Sequence, residues 1–272
     1  MTSGPARFAL ASPENRPLLD VQDVGIAFGG LKAVNGFSLQ LPERSLYGLI
    51  GPNGAGKTTV FNLLTGVYRP DRGGIRLARH DLTGRKPHEI TLAGVARTFQ
   101  NIRLFGEMSV LDNVRLAAQL RRSVGALSTF FRGPRFHRCE ADLRDRALEL
   151  LDVMELRGDA DAPARSLSYG HQRRLEIARA LATRPKVLLL DEPAAGMNPQ
   201  EKQSLAKLIE SLPERFELSV LLIDHDMGLV MKVCRKITVL DHGEIIAVGP
   251  PDRIQNDPNV IAAYLGEPTP DA

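Results

Sequence analysis

The chain has 272 residues, 43% of them hydrophobic and 25% charged, and its 35 basic and 32 acidic side chains leave a formal net charge of +3. This is the composition of a globular domain long enough to bury a sizeable core, and so small a charge excess gives no ground for a nucleic-acid binder. No apolar run approaches the roughly 18 residues of a membrane span.

In chain order, residues 1–16 read as a loose extension. Their only apolar cluster, Phe8 to Ala11, is too short for a signal peptide, so the expected location is cytosolic, with a membrane reached only through a partner. The stretches "LLDVQDVGIAF" and "FSLQLPERSLYGLIG" alternate and carry β-branched and aromatic residues, the pattern of strands. The helix "KTTVFNLLTG" follows, with Gly66 expected at its C-cap. Residues 107–122 and 137–154 have helical periodicity, with Leu143, Ala147, Leu150, Leu151 and Met154 on one stripe. No strand is convincing from 102 to 166, which predicts a helical subdomain inserted into the core. "VLLLDEP" (187–193) and "SVLLIDH" (219–225) are short apolar runs ending in acid, the form of strands buried on both faces. A mostly parallel sheet covered by helices follows. From 249 to 272 the chain reads as a turn, a short helix and a frayed tail. Cys139 and Cys234 fit no metal or redox spacing and are expected as free thiols.

Chemistry enters with "GPNGAGKT", which fits G-x-x-x-x-G-K-[ST] on Gly51, Gly56, Lys57 and Thr58, between a strand and a helix. Glycines let backbone N–H groups converge on phosphate oxygens, and the helix start adds partial positive charge. Asn53, Gly54 and Gly56 supply the cradle, Lys57 reaches the β- and γ-phosphates, Thr58 ligates Mg²⁺, and Thr59 touches the α-phosphate. Asp191 suits the Mg²⁺ shell, and Glu192 suits a water attacking a γ-phosphoryl group. His225, at the end of its strand, is placed to hydrogen-bond the γ-phosphate. Gln100 can contact Mg²⁺ or water. "LSYGHQ" (167–172) puts Ser168 where a helix begins, both an N-cap and an anion-directed start. "NPQE" gives Asn198 at N-cap, Pro199 at N1 and Glu201 at N3.

In this order the motifs resemble the ATP-binding subunit of an ABC transporter, over about Leu18 to Gly266. The resemblance implies an α/β fold: a P-loop NTPase (RecA-like) core, an N-terminal antiparallel β subdomain and the helical insertion at 102–166, all within residues 17–248. It also implies ATP and Mg²⁺, Phe28 stacked on adenine, and a head-to-tail pair of subunits in which Ser168 and the Gly170 N–H bind the nucleotide held by the partner. Tyr169 and His171 stand where the family has glycine and glutamine, and Asn198 where many relatives have aspartate. "VARTFQNIRLFGEMSVLDNV", "LSYGHQRRLEIARAL" and "DPNVIAAYLGE" resemble the branched-chain amino acid importer branch, with urea and amide importers as the alternative and a soluble ABC ATPase acting on nucleic acid or ribosomes behind both. That branch implies a second ATP-binding subunit, identical or paralogous, two permeases, an external solute-binding protein, and a peripheral place on the cytoplasmic face of the inner membrane. No nucleic-acid partner is expected. "RRSVGALSTFFRGPRFHR" (121–138), basic and aromatic, reads first as a solvated loop, then as a surface for lipid headgroups, and last as a nucleic-acid contact.

Overall fold

A computed structural model describes residues 17–121 and 134–265 of the chain. Most of the basic and aromatic stretch, 122–133, lies outside the described residues, as do the amino-terminal extension and the tail from 266.

Among the described residues, ten strands form two sheets. Strands β1 (Leu19–Phe28), β2 (Leu31–Leu41), β4 (Arg72–Leu77) and β5 (His80–Asp81) make an antiparallel sheet in the order β2-β1-β4-β5. The second sheet adds β3 (Leu46–Ile50), β6 (Val95–Arg97), β7 (Val187–Asp191), β8 (Ser219–Ile223), β9 (Lys236–Asp241) and β10 (Glu244–Gly249), in the order β10-β9-β3-β8-β7-β6. Its pairings are parallel except for the hairpin β9–β10.

The two apolar runs are buried on both sides, as a parallel sheet between helices requires. On β7, Leu188 and Leu190 face one core while Val187 and Leu189 face the other; β8 divides Val220 and Leu222 from Leu221 and Ile223 in the same way.

The helices are α1 (Lys57–Leu64), α2 (Pro87–Ala93), α3 (Val110–Ala118), α4 (Pro134–Val153), α5 (Tyr169–Ala182), α6 (Pro199–Phe216), α7 (Met227–Val233), α8 (Pro251–Gln255) and α9 (Pro258–Leu265). Among the described residues, 102–166 hold helices and a single isolated bridge, Ser109 to Pro163. On α4 and just beyond it, Leu143, Ala147, Leu151 and Met154 are buried, and Leu150 is partly so. None of the helices among the described residues is long and apolar enough to cross a membrane.

Three local expectations change. The carboxyl-terminal segment forms two helices, because Asn256 closes α8 and Pro258 opens α9. The first helix ends one residue early: Thr65 is the C-cap, its hydroxyl donating to Phe61 O at 2.7 Å, and Gly66 follows in left-handed conformation (φ +72°). The helix expected at 107–122 starts at Val110, where Ser109 caps it by accepting from the Asp112 N–H at 3.0 Å.

Gly54 and Gly66 both have positive φ, yet a Cβ on Gly54 meets open space while one on Gly66 collides with the Arg85 carbonyl oxygen. Gly54→Ala should therefore cost about 1–2 kcal/mol, the conformational part alone. Gly66→Ala should cost clearly more in urea unfolding, and equal costs would contradict the packing described.

Candidate functional site

The site is assembled at the carboxyl ends of the parallel strands, where open α/β sheets place their ligands. β3 delivers the loop from Gly51 to Gly56; Gly56, at φ +102°, is the N-cap of α1. Gly51 must be glycine, since a Cβ there would run into the Leu240 carbonyl. Lys57 curls back over the loop, and its Nζ donates to Gly51 O at 2.6 Å and Pro52 O at 2.8 Å. Burial pushes the Lys57 pKa down, against the opposing pull of Glu192 and Asp191. The ammonium is thus short of solvent and held by two neutral carbonyls, which a phosphate can replace with charge-assisted bonds.

β7 delivers the acids. Asp191 is its last residue and is 4% exposed. Glu192 steps out of the strand at φ +45°, an unfavourable conformation for a non-glycine residue, and is fixed there as its N–H donates to Ile223 O at 2.8 Å. Its Oε2 accepts from Gln100 Nε2 at 2.9 Å and lies 3.6 Å from His225 Nδ1. His225, after β8, is well exposed, and next to it Asp224 is buried. Burial raises the Asp224 pKa, and the backbone N–H groups of Asp226 and Ala194 partly offset that rise.

A cavity of about 500 Å³ gathers Asn53, Gly54, Gly56, Lys57, Thr58, Thr59, Gln100 and Glu192. Asp191 stands directly behind Glu192 in sequence, and His225 stands beside it in space. Phe28 is exposed rather than core, its ring edge-on to Tyr68 with centroids 5.1 Å apart. Ser168 and Gly170 do not line this cavity. They begin α5, where the Ser168 hydroxyl accepts from the His171 N–H at 3.3 Å, and a Cβ on Gly170 would press on Glu201. His171 faces Asp159, with Nδ1 3.5 Å from Oδ2. Asn198 caps α6 in a reciprocal box with Glu201.

Among the described residues there is no cluster of three or more His, Cys, Asp or Glu that could hold a metal by itself. The oxygen donors of Thr58, Gln100 and Asp191 do fit Mg²⁺, a hard cation that fills its shell with phosphate oxygens and water. One Asp191 oxygen, Oδ2, is taken by Arg97 Nη2 at 2.6 Å in a buried ion pair, so ligation would fall to the other.

Two site residues escaped the sequence reading. His242 also lines the cavity, in the β9–β10 turn; its signal was the "HG" between two apolar runs. Arg97 has no local signal, because its partner lies on another strand.

Comparison with known proteins gives the family. Residues 34–195 match the ABC transporter family, and residues 244–269 match the branched-chain amino acid ATP-binding cassette transporter family. The chain is 47% identical over 253 residues to the high-affinity branched-chain amino acid transport ATP-binding protein BraF of Pseudomonas aeruginosa, covering 93% of this chain and 99% of that protein. It is 46% identical over 253 residues, with the same coverage, to the corresponding protein LivG of Escherichia coli. The ADP conformation of an ATP-binding cassette of an ABC transporter superposes with a TM-score of 0.79 at 29% identity, covering 93% of this chain and all of that one.

Lys57→Met keeps the stem and removes the charge. Losing charge-assisted bonds worth about 1.5–3 kcal/mol should weaken binding of a fluorescent ATP analogue at least about tenfold. Unchanged affinity would remove Lys57 from phosphate binding.

Proposed function

The chain belongs to the ATP-binding subunits of ABC transporters, and from that premise we propose that it powers uptake of branched-chain amino acids, cleaving ATP at a site it shares with a second ATP-binding subunit. The observation that carries this reading is the division of the anion-directed groups. Residues 53–59, Gln100 and Glu192 converge on one cavity, while Ser168 and Gly170 open a different helix outside it. A single chain has two phosphate-directed starts and fills one site with only the first.

In this reading the triphosphate lies against the N–H groups of Gly54 and Gly56, and Lys57 leaves the Gly51 and Pro52 carbonyls for the β- and γ-phosphates. Thr59 meets the α-phosphate, and the exposed face of Phe28 takes the adenine. Thr58, Gln100 and Asp191 would hold Mg²⁺, which supplies charge neutralisation at the β- and γ-phosphate oxygens. Glu192 holds the attacking water and accepts its proton as the new O–P bond forms and the bond from the γ-phosphorus to the β–γ bridging oxygen breaks, with ADP leaving on that oxygen. His225, 3.6 Å from that carboxylate, keeps the γ-phosphate in line. Such a reaction needs positioning and charge stabilisation more than covalent help. Ser168 and the Gly170 N–H complete the γ-phosphate shell of the partner subunit's nucleotide.

The second face of the subunit suits a permease. A cavity of about 470 Å³ lies between β6, α3 and α5, and the exposed apolar side chains Phe105, Leu116 and Leu120 line it. Through permeases docked there the chain sits on the cytoplasmic face of the membrane. The branched-chain substrate, in preference to urea or amides, is supported by the family match at residues 244–269 and by the names of the relatives.

The test is uptake by vesicles carrying the assembled complex. Labelled leucine, isoleucine and valine should enter in an ATP-dependent manner while urea and amides do not. Glu192→Gln should lower both uptake and ATP cleavage about 100-fold or more, with ATP binding retained. Urea or amide uptake in place of leucine would overturn the substrate, and undiminished cleavage by Glu192→Gln would overturn the mechanism.

A further inference from the structure

Where β6 ends, the chain loses its sheet partners. The Thr98 N–H still donates to Leu189 O at 2.9 Å, but Phe99 and Gln100 continue beyond the ladder, and their backbone groups need other partners. They find them on α5. Arg173, whose side chain is wholly buried, donates from Nη1 to Phe99 O at 2.6 Å and from Nη2 to Gln100 O at 2.7 Å. Glu176 accepts the Phe99 N–H at 3.2 Å and is itself paired with Arg173 at 2.7 Å. The remaining hold is Tyr169, whose hydroxyl accepts from Arg173 Nη2 at 3.2 Å. One guanidinium therefore grips two successive carbonyls, one acid and one phenol, a task that suits the planar fork of arginine and not the point charge of lysine.

The same helix starts at Ser168, and residues 169 and 173 lie one turn apart on one face. The helix start is thus joined to the Gln100 backbone through Tyr169, Arg173 and their hydrogen bonds. Gln100 in turn touches Glu192 at 2.9 Å.

We propose that Arg173 is a positioning residue for Gln100, seated by the Tyr169 hydroxyl, so that the helix start facing the partner's nucleotide sets the contact between Gln100 and Glu192 at this chain's own nucleotide. The proposal rests on the roles given above to Gln100, Glu192 and Ser168. It assigns a use to Tyr169, which stands at the third position of "LSYGHQ", where a glycine would have no hydroxyl to offer.

The experiment is a double-mutant cycle on ATP cleavage by the assembled complex. Tyr169→Phe and Arg173→Lys, made singly, should each lower kcat about tenfold, the equivalent of one hydrogen bond to a charged group, with KM for ATP within about twofold of wild type. In a Gln100→Ala background neither substitution should lower kcat further. A merely structural role would lower the melting temperature and give the same loss of kcat in both backgrounds, and that result would overturn the proposal. So would an unchanged kcat in Tyr169→Phe, which removes one oxygen from a half-exposed ring and carries the test if Arg173→Lys does not fold. Failure of the underlying functional reading is seen separately, as absence of ATP cleavage by the wild-type complex.

Discussion

The parallel ladder between β7 and β8 sets where the chemistry can occur. Leu189 pairs with Leu221 and Asp191 with Ile223, and one step past the ladder the Glu192 N–H still donates to Ile223 O. Both strands are buried on both faces, so a slip of one residue would push each side chain into the wrong core. With the register fixed, Glu192 and His225 leave adjacent strands side by side, and β3, on the other edge of β8, presents the phosphate loop to them. The left-handed backbone of Glu192 costs about 1–3 kcal/mol, and the sheet beneath it holds that strain in place.

Charge balance explains the next layer. Asp191 is buried and paired with Arg97, whose Nη1 also donates to Asn62 Oδ1 at 2.8 Å, so one guanidinium ties the end of β7 to α1. Removing one partner of such a pair leaves an uncompensated buried charge. Lys57 is low on solvent and rests on two carbonyls, and in the proposed reading it answers part of a triphosphate's charge but not all of it. Ser168 and Gly170 stand at the start of α5, outside the cavity. In the proposed reading a second subunit brings its own copy of that helix start to the nucleotide.

Contiguous features were legible in the sequence. The glycine-rich loop before α1, the acids at the end of β7, the histidine after β8 and the capping box at Asn198 each depend on neighbours within a few residues. Short or glycine-bearing strands were not: β6 has three residues, β4 reads "RGGIRL", and neither alternates long enough to be recognised. The β9–β10 hairpin does carry a signal in "LDHGEI", a His-Gly pair between two apolar runs. Arg97 and Arg173 were illegible for a different reason. Their partners lie 94 and 74 residues away in sequence, so their functions exist only in the folded chain. Tyr169 was visible as a departure from the family pattern, but its use follows from Arg173.

A shared site requires that one chain cannot finish the reaction alone. ATP cleavage should be measured on the purified chain at concentrations where sedimentation velocity shows only monomer, beside the same chain in its assembled complex. The complex should turn ATP over and the monomer should not. A monomer that cleaves ATP at the full rate of the complex would contradict the shared site.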